Sequence, residues 1–155
     1  MRESEERFRR IFEDGPLGIA VVAPDSSLSH ANAKLCQMLG YSEQELCSLT
    51  ISGVTHPDDV EADAHLAHQL IAGDIPSYQL EKRYIAKDGR VVWGSLTGAL
   101  IRDEEGKPVC GLGIVEDITE RKQSLEIRTR LAAIIASSDD AISSFDVHGI
   151  ITSWN

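Results

Sequence analysis

The sequence predicts an α+β domain: a five-stranded antiparallel sheet covered on one face by short helices. Three observations predict it. Residues 77–117 alternate apolar and polar with a period of two, broken only by Asp88-Gly89 and by residues 103–108, which describes three antiparallel strands in a meander. Two shorter β-type runs, 18–23 and 28–31, stand near the start. Between the two groups lie segments with helical periodicity and helix-capping residues. A lone hairpin is marginal in water, so the early pair is expected to join the later three in one sheet.

The elements follow in order. Ser4–Phe12 reads as a short amphipathic helix with Phe8, Ile11 and Phe12 on one face, stopped by Asp14, Gly15 and Pro16. That face needs an apolar partner, which makes these three residues a candidate dimer interface. Gly18–Ala23 is a strand, Pro24–Ser27 a turn, and Leu28–Ala31 the returning strand. Asn32 is placed to cap a helix ending at Leu39, with Gly40 after it. Ser42 and Glu45 form a capping box for a further single-turn helix. Thr55 to Glu61 opens a longer helix with Pro57 in its first turn and Asp58 and Asp59 at the positive end of its dipole. Val60, Ala64, Ala67 and Ile71 are expected to form its buried stripe, and Gly73 to close it.

The last predicted strand, from Val109, turns without a loop into a helical segment. Asp117 is placed to accept from the first N–H groups of that helix, Glu120 to reach back to it, and Arg121 to pair with Asp117 one turn on. Asp117, Thr119, Glu120 and Arg121 are therefore candidate signal-coupling residues, because a stiff junction transmits a displacement that a loose one absorbs. A pocket is expected between helices and sheet, with Cys36, Leu39 and His68 as candidate lining residues.

Composition bounds the function. A chain of 155 residues holds one well-packed domain plus some extra. No apolar run approaches the ~20 residues of a membrane span, and the charged opening stretch lacks a signal-peptide pattern. A cytoplasmic location without membrane contact is the expectation. A net charge of -10 disfavours nucleic acid as a partner. Cys36, Cys47 and Cys110 are widely spaced without a C-x-x-C pair and read as reduced, packed thiols. No catalytic residues are indicated, since no G-x-S-x-G, glycine-rich phosphate loop or Cys/His pair is present. His56, Asp58, Asp59, Asp63, His65 and His68 offer metal-ligand types, but His65 points away from the expected apolar stripe and His68 only flanks it. No metal site is assigned, and metal-dependent hydrolysis is the weaker enzymatic alternative.

Several segments together resemble the PAS domain with its C-terminal PAC motif. They are G-P-L-G-I-A at Gly15–Ala20, Asn32, L-G-Y-S-E-Q-E-L at Leu39–Leu46 and H-P-D-D at His56–Asp59. E-K-R-Y-I-A-K-D-G-R-V-V-W at Glu81–Trp93, R-D-E-E-G-K-P at Arg102–Pro108 and D-I-T-E-R-K at Asp117–Lys122 complete the set. The resemblance covers residues 3–122, including a flanking helix over 3–12. It implies a sensory and dimerisation module of a bacterial signalling protein, of the sensor histidine kinase or diguanylate cyclase type, acting on an output domain of the same polypeptide. The alternative is an interaction scaffold without a ligand. Some members hold haem through a histidine of the long helix, which singles out His68. Flavin-binding members use a cysteine after the G-Y-S-x-x-E-L segment, where this chain has Ile51, and Cys47 stands four positions too early. Neither haem nor flavin has a clear signature, and the ligand stays unassigned.

Residues 7–32 align without gaps to 130–155, 123 positions on, with Arg7/Arg130, Ile11/Ile134, Ile19/Ile142 and Asn32/Asn155 identical. The expected organisation is one module, a linker helix over 119–136, and the start of a second PAS domain over 137–155. Ile118, Leu125 and Ala132 recur at the seven-residue spacing of a coiled coil, which supports a homodimer.

Overall fold

The computed structural model describes residues 2–137, 143–145 and 151–154. The chain divides into two compact units, 1–119 and 120–155.

The first unit opens with helix α1 (Arg2–Asp14), followed by strands β1 (Gly18–Val22) and β2 (Leu28–Ala31). Short helices α2 (Ala33–Leu39), α3 (Glu43–Cys47) and α4 (Ile51–Val54), a 3-10 turn (Pro57–Asp59) and the longer α5 (Val60–Ala72) come next. Strands β3 (Ser77–Ile85), β4 (Val91–Arg102) and β5 (Pro108–Asp117) complete it. The five strands form one sheet in the order β2-β1-β5-β4-β3, every pairing antiparallel. The first hairpin thus closes on the last strand, which places the start of the unit beside its end.

Local chemistry explains the helices. Asn32 caps α2 by accepting from the Leu35 N–H, and Gly40 ends the helix with a left-handed φ of 74°. Ser42 and Glu45 cap α3 reciprocally. Thr50 accepts from Gly53 to start α4, which periodicity did not predict because a single turn carries no period. Lys87 reaches from the β3–β4 turn to Glu45 at 2.6 Å, and its N–H donates to the Leu39 carbonyl, so the helical cover is fastened to the sheet edge.

The core lies between this cover and the inner sheet face: Leu35, Leu39, Leu46, Val54, Leu96 and Val115 are all buried. Each buried aliphatic side chain of this size contributes ~1.5–3 kcal/mol. The expected stripe of α5 requires correction. Asp63 and Leu70 are its buried side chains, and of the expected stripe Ala67 faces the cavity beside them while Ile71 is 46% exposed. The expectation failed because it kept a carboxylate off the apolar face. Lys82 on β3 supplies the partner that draws Asp63 inward.

The second unit begins with most of helix α6 (Thr119–Ser137), followed by an antiparallel pair, β6 (Ser143–Phe145) and β7 (Ile151–Trp154).

Candidate functional site

Alternation on the strands builds the site. Tyr78, Lys82 and Tyr84 on β3 point to the inner face, opposite a run of small residues on the neighbouring strands. Cross-strand partners there are Tyr78↔Gly98, Lys82↔Gly94, Gly98↔Gly113 and Ala20↔Gly113. The two tyrosine rings crowd against the glycines. A Cβ on Gly98 would stand 2.5 Å from Tyr78, and one on Gly94 2.6 Å from Tyr84. Glycine is therefore required at both positions by ring contact rather than by φ. With the floor so low and the helices spaced by their caps, a cavity of about 130 Å³ remains between α5 and the sheet.

Its walls are aliphatic, from Leu35, Leu39, Leu96, Ala67 and Val115 among others. One corner is polar. Lys82 Nζ donates to Asp63 Oδ2 at 2.6 Å and to Thr55 Oγ1 at 2.9 Å, and the Tyr78 hydroxyl donates to Asp63 Oδ1 at 3.1 Å. Lys82 is 1% exposed and Asp63 5%. The ammonium also lies 4.6 Å from the centre of the Tyr84 ring. Burial pushes the Lys82 ammonium below its usual pKa, and the Asp63 carboxylate opposes that shift. Burial raises both tyrosine hydroxyls well above theirs, and Asp63 adds to the effect.

Beside the cavity, the H-P-D-D segment anchors α5 to β3. Asp59 accepts from the Arg83 backbone N–H at 2.8 Å and from its guanidinium at 2.8 and 3.0 Å. The Arg83 hydrogen bonds hold the Asp59 carboxyl down at about 2. Arg83 in turn stacks over Trp93.

A second feature joins the sheet to α6. The Ile118 N–H donates to the Trp93 carbonyl at 2.9 Å, and the Trp93 N–H donates to Thr119 Oγ1 at 3.0 Å. Strand β4 thus continues its hydrogen bonding past the end of β5, and Ile118 is buried in the corner. Asp117 Oδ1 accepts from the Thr119 N–H at 3.0 Å.

The model of the PAS fold family matches residues 28–115 of this chain. The chain belongs to the PAS fold family. A probable diguanylate cyclase, DgcE of Escherichia coli K12, is 35% identical over 157 residues, covering 99% of this chain and 14% of that protein. The sensor histidine kinase TmoS of Ectopseudomonas mendocina is 29% identical over 129 residues, covering 83% of this chain and 13% of its own. The chain therefore spans about a seventh of the length of these relatives. The crystal structure of a PAS domain from Colwellia psychrerythraea superposes with a TM-score of 0.69 at 21% identity, covering 76% of this chain and 98% of that one.

Within the PAS unit, the residues expected from sequence fall in different places. Leu39 lines the cavity. Cys36 and His68 do not, which corrects that expectation. Cys36 packs against the core from outside the cavity with its thiol pKa raised by burial, and His68 lies exposed on α5 because the helix is rotated from its expected stripe. Among the described residues no group of three or more His, Cys, Asp or Glu side chains is arranged to hold a metal ion. Phe8 and Ile11 are 67% and 63% exposed on α1, while Phe12, stacked on Phe8, is half-buried. Sequence reasoning took Tyr78 and Trp93 for packing aromatics on their strands and missed Lys82. Lys82 stood at an inward position of the β3 alternation, and that was the available signal.

Proposed function

We propose that this chain is the sensory module of a bacterial multidomain signal-transduction protein of the histidine kinase or diguanylate cyclase type. It acts in the cytoplasm and catalyses nothing itself. One observation carries the reading: β5, whose Gly113 and Val115 line the cavity, runs into α6 through a corner that Trp93 fastens to the sheet. A change of cavity occupancy alters β5, and the corner passes the change to α6. Asp117, Thr119, Glu120 and Arg121 form the coupling segment. The names of the relatives, a probable diguanylate cyclase and a sensor histidine kinase, support the type of parent protein.

The organisation that goes with this function is a PAS/PAC domain over 3–122, a linker helix over 119–136 and a second PAS domain beginning in 137–155. Pairing registers support it. In the first hairpin Ala20 faces Ala31, Val21 faces His30 and Val22 faces Leu28, with a bulge after Val21. In the second, Ser143 faces Trp154, Ser144 faces Ser153 and Phe145 faces Ile151, with a bulge after Ser144. Every residue of the second set stands 123 positions after its counterpart, the offset of the sequence echo. We propose too that the module forms a homodimer through the α1 face of Phe8, Ile11 and Phe12.

Hydrogen exchange tests the coupling. Ala67→Leu fills part of the cavity from the α5 side, and it should change the exchange rates of the amides in residues 118–125. Adding Thr119→Val, which removes the hydroxyl acceptor of the Trp93 N–H, should abolish that response while circular dichroism shows α6 intact. Unchanged exchange at 118–125 in Ala67→Leu defeats the reading.

A further inference from the structure

We propose that the cavity of the first unit takes a small, uncharged, largely hydrocarbon ligand of about six non-hydrogen atoms carrying one hydroxyl group, an aliphatic alcohol being the simplest case. The inference rests on the sensory reading and names the ligand class of that same site.

Size comes first. A cavity of about 130 Å³ is close to the ~150 Å³ that accommodates benzene in an apolar protein interior. A nucleotide or tricyclic cofactor is far larger. The walls come next: Leu35, Leu39, Leu96 and Val115 offer no hydrogen bond, so the body of the ligand must be apolar.

The polar corner decides charge and head group. An ammonium has three N–H donors. Two of those of Lys82 go to Asp63 and Thr55, and the cation lies over the Tyr84 ring, so its charge is already paired with the Asp63 carboxylate. An anionic ligand finds no free cation there and would have to displace Asp63. The carboxylate is different. Each Asp63 oxygen accepts one hydrogen bond, from Lys82 or from Tyr78, and each keeps a further acceptor site. Asp63 lines the cavity, as does Tyr78, whose phenolic oxygen retains acceptor capacity. The corner therefore offers acceptors and asks for a donor. A cationic donor would add a buried charge to an ion pair already neutral, at a desolvation penalty that nothing there offsets. A neutral hydroxyl meets the demand with no charge to compensate.

The test uses four probes of five or six non-hydrogen atoms, 1-butanol, butyrate, butylammonium and glycerol, each titrated into the chain by methyl NMR. Saturable shifts at the methyls of Leu35, Leu39, Leu96 and Val115 are expected with 1-butanol, at concentrations at least tenfold lower than for the other three. Ala67→Leu should weaken 1-butanol at least tenfold with the protein still folded. Gly113→Ala, whose added Cβ meets only Leu96 at 3.5 Å and Ala20 at 4.0 Å, provides the same test from the sheet side. Butyrate or butylammonium binding as well as 1-butanol overturns the assignment of charge. No saturable shift with any probe overturns the ligand class altogether. If exchange at 118–125 still responds to Ala67→Leu in that case, the sensory reading survives and only the ligand assignment falls.

Discussion

Asn32 shows how much one side chain can hold. Its Oδ1 accepts from the N–H groups of Ile19 and Leu35, and its Nδ2 donates to the carbonyls of Phe12 and Leu17. The residue is fully buried and joins α1, β1 and α2 at one point. Its role as the α2 cap was legible in the sequence. The other three bonds were not, because they depend on where α1 ends in space. Asn32→Asp keeps the cap but turns two donors into acceptors facing carbonyls, so a loss of ~3 kcal/mol is expected by urea denaturation. Asp59 makes a pH-dependent contribution. Its carboxyl is held at about 2 against an ordinary 3.8, so the carboxylate stabilises the fold fully above pH ~4, and the contribution disappears as pH falls through 2. It amounts to ~2 kcal/mol, and stability curves of Asp59→Asn should lack that part of the acid slope.

At the scale of elements, periodicity served the strands well. The β3–β4–β5 meander, its turns and the caps of α2 and α3 follow from alternation and capping residues visible in the chain. Failure came at α5, where a hydrophobic stripe was sought and the inward face carries Asp63. A buried ion pair is a property of two elements together, and neither shows it alone. Breaking it from one side leaves a buried charge, so Lys82→Met should cost ~3–5 kcal/mol, while Asp63→Leu combined with Lys82→Met should recover most of that in thermal unfolding. The sheet floor gives a cleaner pairwise case. Gly98→Ala drives a methyl into the Tyr78 ring and should cost ~1–3 kcal/mol. In a Tyr78→Ala background the same substitution should cost almost nothing, and a double-mutant cycle measures the difference.

For the whole molecule, the exposed Phe8 and Ile11 predict self-association. Sedimentation equilibrium at tens of micromolar should give a dimer for the native chain and a monomer for Ile11→Glu with unchanged circular dichroism. A monomer in both would remove α1 as the interface. Sequence made the five-stranded sheet and the repeated hairpin legible, since both rest on local alternation. The cavity was legible only as a gap between layers. Its volume depends on glycines whose neighbours across the sheet are fixed by register.

Trp93 binding the corner before α6 through both its backbone groups has a consequence for any parent protein. Coupling free energy is reciprocal: if occupancy of the cavity shifts the state of α6 by some factor, whatever grips α6 shifts affinity at the cavity by the same factor. Under the proposed sensory function, whatever holds α6 would therefore set the sensitivity at the cavity. An affinity measured at the cavity with α6 free would then differ from one measured with α6 held, by the factor of that coupling.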